Sequence, residues 1–452
     1  MRIVGVAGGL RLVVAAMLAA APAMAAVKVC DVRQFGAKGD GVAKDTKAIQ
    51  AAIDECAKAG PPAIRASGDQ LAQPVGALTA HSSEWPTVKL SGGTFLSGPI
   101  LLKSGMTLDV EKGAVLLASP DRADYPMVTF AGHQTVQPFV SAVGQEYVAI
   151  EGEGTIDGSG KVWWDYVQGA KNGGVLGNDH PRPMGVVFDH TRHVRMEGVT
   201  VRNSGFWQIV PYYADDLVFR NLRITAPKSP NTDAIDPFSS SNILIDHVYS
   251  STGDDNIAIK SGAIDSPGPD APSRNITIVD CTFENGHGLS IGSEIAGGVQ
   301  NVHAERIHFN GTDQGIRIKA NRDRGNDVSN ITFKDIDMVD VKTSILISEY
   351  YPKAMPEGPV DAAPVERLTP HFHNIRIENV KSVHSAWAGV IVGLPESPVV
   401  DIELKNVNIE AAKGMQIGYA EVRSDGLVVS TTDGSKPVTL GPGGALAAVG
   451  SK

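Results

Sequence analysis

Apolar residues along this chain recur in a fixed frame that no single helical or strand period explains. Eight segments, beginning at His193, Asp216, Asn242, Asn275, Asn301, Asn330, Asn374 and Asp401, carry apolar side chains at the first, third, sixth and eighth positions after the start. Asn275 is followed in this way by Ile276, Ile278, Cys281 and Phe283, and Asn330 by Ile331, Phe333, Ile336 and Met338. Of the 32 positions so defined, 30 are apolar, and the exceptions are Ser250 and Ser382. Alternation within each pair marks a strand with one buried face. The step of three between the pairs breaks that alternation, so each segment reads as two short strands joined by a bend. Starts follow one another at intervals of 23 to 44 residues. The shorter intervals suit one rung of a solenoid, and the excess in the longer ones goes into loops. Asparagine at the recurring start suits a left-handed bend where like residues stack. The pattern predicts an all-β protein, a right-handed parallel β-helix with rungs of roughly 25 residues. A β-sandwich would not require repeats in phase over more than 200 residues.

A solenoid exposes its end rungs and needs a cap. Residues 45–57, DTKAIQAAIDECA, predict a cap helix with Asp45 as N-cap and Ile49, Ala52, Ile53 and Cys56 on one face. The preceding FGAKGDG lacks the Gly-Lys-Ser/Thr of a phosphate loop and reads as a turn. Residues 61–86 are rich in Pro, Gly, Ala and Ser without any period, as expected of an inserted surface loop. Residues 1–25 read as a secretory signal peptide: Arg2 and Arg11, an apolar core from Leu12 to Ala20, and Ala23-Met24-Ala25 before the cleavage point. One unit over 26–452 is then expected, exported to the periplasm or beyond, with no membrane span in the mature form and a monomeric state. Three cysteines remain and none has CxxC spacing, which leaves zinc and redox motifs unsupported. Cys30 and Cys56 are candidates for a bridge in an oxidising compartment, with the pairing open. Cys281 falls on an inward position and reads as a buried free thiol.

Without the leader, 38 basic residues face 50 acidic ones, a net charge of −12. Non-specific nucleic-acid binding needs a basic footprint and is excluded as a function class. An anionic substrate is not, because a few local cations decide a groove. The repeat frame gathers such cations beside acids. Asp254 and His287 both stand twelve positions after their segment starts, which stacks them on adjacent rungs roughly 5 Å apart. Asp233 lies 21 residues, about one rung, before Asp254. Arg317 and Lys319 alternate on one strand face of the next rung. A lone Asp at a β-helix bend ordinarily only forms the bend, and an Arg-x-Lys pair is ordinarily solvated. Asp233, Asp254, Asp255, His287, Arg317 and Lys319 on neighbouring rungs are a different matter, since like charges held close cost energy. Clustered carboxylates suit glycosidic hydrolysis, in which one protonated acid serves the leaving oxygen and an ionised one activates water or attacks carbon. Cations beside them make sense if the sugar carries its own carboxylate.

Four motifs in this order and spacing resemble the pectin-degrading polygalacturonases, glycoside hydrolase family 28: Ser229-Pro230-Asn231-Thr232-Asp233, Gly253-Asp254-Asp255, Gly286-His287-Gly288 and Arg317-Ile318-Lys319. Tyr351 in ILISEYY is similar to the tyrosine that follows them in that family. The resemblance runs from Phe35 to about residue 410. It implies a right-handed parallel β-helix and metal-independent, inverting hydrolysis of α-1,4-linked galacturonate in pectin, with no cofactor. Asp254 would be the general acid, and Asp233 and Asp255 would hold and activate water. His287 would support protonation or bind substrate, and Asn231, Arg317, Lys319 and Tyr351 would bind the sugar. GHGLSIGSE and TGDDNIAIK resemble bacterial endo-acting members most. Exo-acting enzymes and hydrolases of rhamnogalacturonan or xylogalacturonan share the family. Ala234 departs from the glycine common after Asn-Thr-Asp, which puts backbone freedom there in doubt. A one-rung separation of the acids would by itself suggest retention, whereas the family inverts. A calcium-dependent pectate lyase and a non-catalytic carbohydrate-binding β-helix are the competing classes.

Overall fold

A computed structural model describes residues 27–60, 85–172 and 181–449, so the leader and nearly all of the 61–86 segment lie outside the described residues. Strands from Val29–Asp31 to Gly444–Ala448 pair rung upon rung in a right-handed parallel β-helix, the hand in which consecutive parallel strands are normally connected. Among the described residues one pair is antiparallel, Met127–Phe130 with His133–Val136. Three faces enclose the core. Arg192–Glu197, Asp215–Arg220, Ser241–Asp246 and Ser273–Val279 stack on the first. Thr200–Arg202, Arg223–Thr225, Tyr249–Ser251 and Thr282–Glu284 stack on the second. Ile257–Ile259, Leu289–Gly292, Gln314–Lys319 and Thr343–Ser348 stack on the third.

The physical cause of the corners is visible in the backbone. All eight segment starts have positive φ, between 51° at Asn374 and 58° at Asn301 and Asn330. Side-chain amides of Asn275, Asn301, Asn330 and Asn374 each donate to the carbonyl oxygen of the asparagine one rung earlier. The second bend has a definite seat, the fifth residue after each start. Asn221, His247, Asp280, Arg306, Asp335, Asn379 and Asn406 there all have φ between 50° and 56°, and Gly198 supplies the eighth. Ile276, Ile278 and Cys281 face the core as expected. Burial pushes the Cys281 thiol up to about 12, so it stays an inert thiol. The two polar exceptions are paired: Ser250 accepts from Asn256, and Ser382 shares a triad with Ser344 and Ser385.

The helix Thr46–Ala57 closes the first rung and buries Ile49, Ala52, Ile53 and Cys56. Asp45 occupies the N-cap position, but its side chain makes no cap hydrogen bond to the helix. Its carboxylate instead accepts from the backbone N–H groups of Lys38 and Gly39 at 2.7 and 2.9 Å. The expected cap role is corrected accordingly, and those donors in FGAKGDG are consumed internally, as a turn requires. Cys30 and Cys56 are bonded, tying the first strand to the helix across 26 residues. Cys30→Ser with Cys56→Ser should lower unfolding free energy by about 2–4 kcal/mol in denaturant titration, most of it lost equally by wild type in reductant.

Candidate active site

The third face positions the chemistry. Ile257, Ile259, Leu289, Ile291, Ile316 and Ile318 point into the core, so strand alternation turns Lys260, Ser290, Arg317 and Lys319 outward. Bridges from Ile235 to Ile257 and from Phe238 to Lys260 bring the Asp233–Phe238 segment into the same stack. In that register Gly292 pairs across with Lys319. Gly292 has φ of 107°, and a Cβ there would meet the Lys319 carbonyl oxygen at 1.9 Å. The missing side chain permits this close approach of the two backbones.

Asp254 and His287 meet as the frame predicts, with Oδ1 and Nδ1 3.0 Å apart. The bend holding His287 is specific: Gly286 and Gly288 have φ of 79° and 81°, and a Cβ on Gly288 would lie 2.0 Å from the Gln314 carbonyl oxygen. Burial lowers the His287 pKa, but hydrogen bonding to Asp254 and its charge outweigh that, and the net direction is upward. Asp255 is 1% exposed. Its carboxylate accepts from Ser290 Oγ at 2.8 Å, Arg317 at 3.2 Å and Lys319 Nζ at 2.7 Å. Burial raises this carboxyl, yet Lys319, Arg317 and Lys260 together hold it below the usual range, so it stays ionised. Asp233 is pushed the other way, well above an ordinary carboxyl, first by burial and then by Asp236 and Asp254. Its Oδ1 is buried without a hydrogen-bond partner. Neighbouring acids are thus driven apart in pKa, the arrangement that divides acid from base.

Tyr351 lies with its ring centroid 5.4 Å from Lys319 Nζ and 5.9 Å from Arg317 Cζ. Asn231 accepts at Oδ1 from Arg182 at 2.9 Å, so its carbonyl oxygen is already engaged. Arg317 and Lys319, expected at the sugar, are first of all the partners of Asp255. Ala234 is fully buried with its methyl in the core, and its φ is not positive. Glycine is therefore not needed at that backbone position.

Three functional groups escaped the sequence reading. Asp236 is fully buried with both carboxylate oxygens unpartnered, and burial drives it well above the ordinary range. Lys260 is buried 3.4 Å from Glu294 and 3.9 Å from Asp233. Burial pushes the Lys260 ammonium pKa down, but Glu294, Asp236 and Asp233 more than restore it, and the cation persists. Arg182, 2% exposed, stacks on Phe206 at 4.4 Å. Lys260 was discoverable by continuing the alternation from Ile257 and Ile259; Asp236 and Arg182 sit outside the repeat frame and gave no such signal.

Asp254, Asp255 and His287 bring one donor atom each within 4.8 Å of one another. A calcium site would want several free oxygens. Both oxygens of Asp255 already receive cations, and the third group is an imidazole, so the set does not fit calcium.

Acids of divided pKa, a proton-sharing histidine and flanking cations on a parallel β-helix define a glycoside hydrolase. Residues 78–424 match the family model Glycosyl hydrolases family 28, and the chain belongs to that family. It is 32% identical over 356 residues to an endo-polygalacturonase of Pectobacterium carotovorum subsp. carotovorum, covering 74% of this chain and 83% of the relative. A probable polygalacturonase of Vitis vinifera is 29% identical over 88% of this chain and 78% of its own length. The crystal structure of a hyperthermoactive exopolygalacturonase from Thermotoga maritima superposes with a TM-score of 0.73 at 28% identity, covering 89% of this chain and 92% of that one.

Proposed function

We propose that this protein is an exported polygalacturonase that hydrolyses α-1,4-galacturonosidic bonds of pectin without a metal, inverting the anomeric carbon. The observation that carries it is the divided charge of the acids. Asp254 Oδ1 and His287 Nδ1 stand 3.0 Å apart, within reach of a single proton passed between them. Moved to Asp254, that proton is available to the departing glycosidic oxygen. Asp255 is the ionised group that accepts a proton from water. Its pKa is low for a base in the free site, and it rises as Arg317 and Lys319 are drawn partly onto the substrate carboxylate. Asp233, with its unpartnered oxygen, orients the water. Inversion is what the family resemblance implies, with the nucleophilic water held on the Asp233 side. Asn231 steadies Arg182, and Tyr351 with the two cations forms the sugar-binding edge. No helix among the described residues is long and apolar enough to cross a membrane.

Digestion of polygalacturonate tests this reading. New reducing ends are expected without ultraviolet absorbance from 4,5-unsaturated sugars, and chelator should leave the rate unchanged. Proton NMR of the first turnover should show the β-anomer. Unsaturated products with calcium dependence would make it a lyase, and an initial α-anomer would make it a retaining enzyme.

A further inference from the structure

The antiparallel hairpin Met127–Phe130 and His133–Val136 interrupts an otherwise parallel fold, and it lies across the third face. Phe130 packs with Val187 and Val210, the outward residues of Val186–Asp189 and Ile209–Tyr212, and its ring centroid is 4.5 Å from that of Tyr212. The tip, Ala131 to His133, reaches the far edge of that face and shares a cavity wall with Tyr213 and the 262–270 loop. Rung connectivity fixes how far this bar is from the acids. Ile209 bridges to Ile235 and Ile235 to Ile257, so the covered rung is one step from Asp233 and Asp236 and two from the Asp254 rung. At the spacing of neighbouring strands that is roughly 5–10 Å. Beside the bar lies a cavity of about 540 Å³, lined by Phe130, His133, Arg182, Trp207, Phe238 and Glu294 among others. That is the scale of a small-molecule pocket. Its chemistry suits one acidic sugar. Trp207, stacked on Phe206 with ring centroids 4.7 Å apart and with Lys260 Nζ 5.0 Å from its own, contributes an aromatic edge beside a cation. Arg182, whose terminal nitrogens donate to the Gly205 and Pro230 carbonyl oxygens and to Asn231 Oδ1, adds a fixed positive charge to the wall.

Resting on the hydrolase reading above, we infer that the Met127–Val136 hairpin ends the substrate groove, so that the enzyme trims one or two galacturonate units from a chain terminus. This reverses the endo-acting expectation carried by GHGLSIGSE and TGDDNIAIK, motifs that describe the acids and not the ends of the groove. The test follows product sizes and solution viscosity during digestion of polygalacturonate. Wild type should release only mono- or digalacturonate from the earliest times, with viscosity falling slowly relative to reducing ends. A variant with Thr129–Gln134 replaced by Asn-Gly removes the bar and should yield a ladder of oligomers with a faster fall in viscosity. Phe130→Ser, which loosens the hairpin from Val187 and Val210 without shortening it, should shift products in the same direction, and thermal unfolding verifies that both variants fold. An early ladder from wild type overturns the end wall while leaving the hydrolase reading intact, as does an unchanged product pattern in both folded variants. Failure of wild type to release reducing ends from either polymer or oligomers would overturn the hydrolase reading itself.

Discussion

Asp254→Asn should abolish nearly all hydrolysis of polygalacturonate while leaving the fold in place. The carboxamide keeps an oxygen for the Asp255 N–H, which the carboxylate now accepts at 2.9 Å. What it loses is the proton shared with His287. General acid catalysis alone contributes roughly 10²–10⁴ in rate, and the change also alters the field at Asp255. Measured kcat/KM with an unchanged circular dichroism spectrum checks this, and a variant retaining more than about a tenth of wild-type rate would remove Asp254 as the acid. The same pair sets the alkaline limit. Because Asp254 raises the His287 pKa, the shared proton is retained below that raised value and lost as pH climbs through it. The alkaline limb of kcat/KM should therefore lie above the ordinary histidine value of about 6.5. In His287→Gln it should shift, since the limb reports the pair.

The second large effect is expected at Lys319. Lys319→Met leaves Asp255, 1% exposed, with Arg317 and Ser290 as hydrogen-bond partners and Lys260 as a more distant charge. Removing one partner of a buried ion pair costs about 3–5 kcal/mol, and the surviving Arg317 places this case at the lower end. The folded pKa of Asp255 is depressed, so its contribution is present above the unfolded carboxyl value and disappears as pH falls towards the depressed one. With Lys319 gone that folded value rises, and acid unfolding should begin at higher pH. Urea titrations at neutral and acidic pH measure both. Wild type should also cleave de-esterified polygalacturonate much faster than highly methyl-esterified pectin, and Lys319→Met should narrow that ratio. An unchanged ratio with the expected stability loss would restrict Lys319 to holding Asp255.

The faces that follow the repeat frame were legible because burial imposes alternation on them regardless of residue identity. Ile276 and Ile278 had to face inward, and Asn at the starts had to bend. The fifth-position bends were not legible as conformations, since His247, Asp280 and Arg306 share polarity and little else, and Gly198 not even that. The third face was harder still. Its rung at Ile235 is held only by isolated bridges, and the chain reaches it through loops of unequal length. Asp254 over His287 could be placed from equal offsets, whereas Asp236 and Arg182 could not. Motif resemblance named the candidate reacting groups but gave no role to Lys260, the cation set among Asp233, Asp236, Asp255 and Glu294.

The unequal loops and equal rungs have a consequence for how such a site can change. Between Asn330 and Asn374 the chain spends 44 residues, yet Ile331 still pairs with Ile375. Loop growth is absorbed at the corners and never enters the stack. Side chains on this scaffold thus occupy addresses on a grid, one axis counted in strand spacings of roughly 4.8 Å and the other in odd or even places along a strand. A reacting group can be exchanged at its address or moved by a whole step, but not nudged. Innovation in this architecture is therefore expected at the grid's borders, in hairpins and loops that decide which part of a polymer is admitted, while the chemistry inside stays on its lattice.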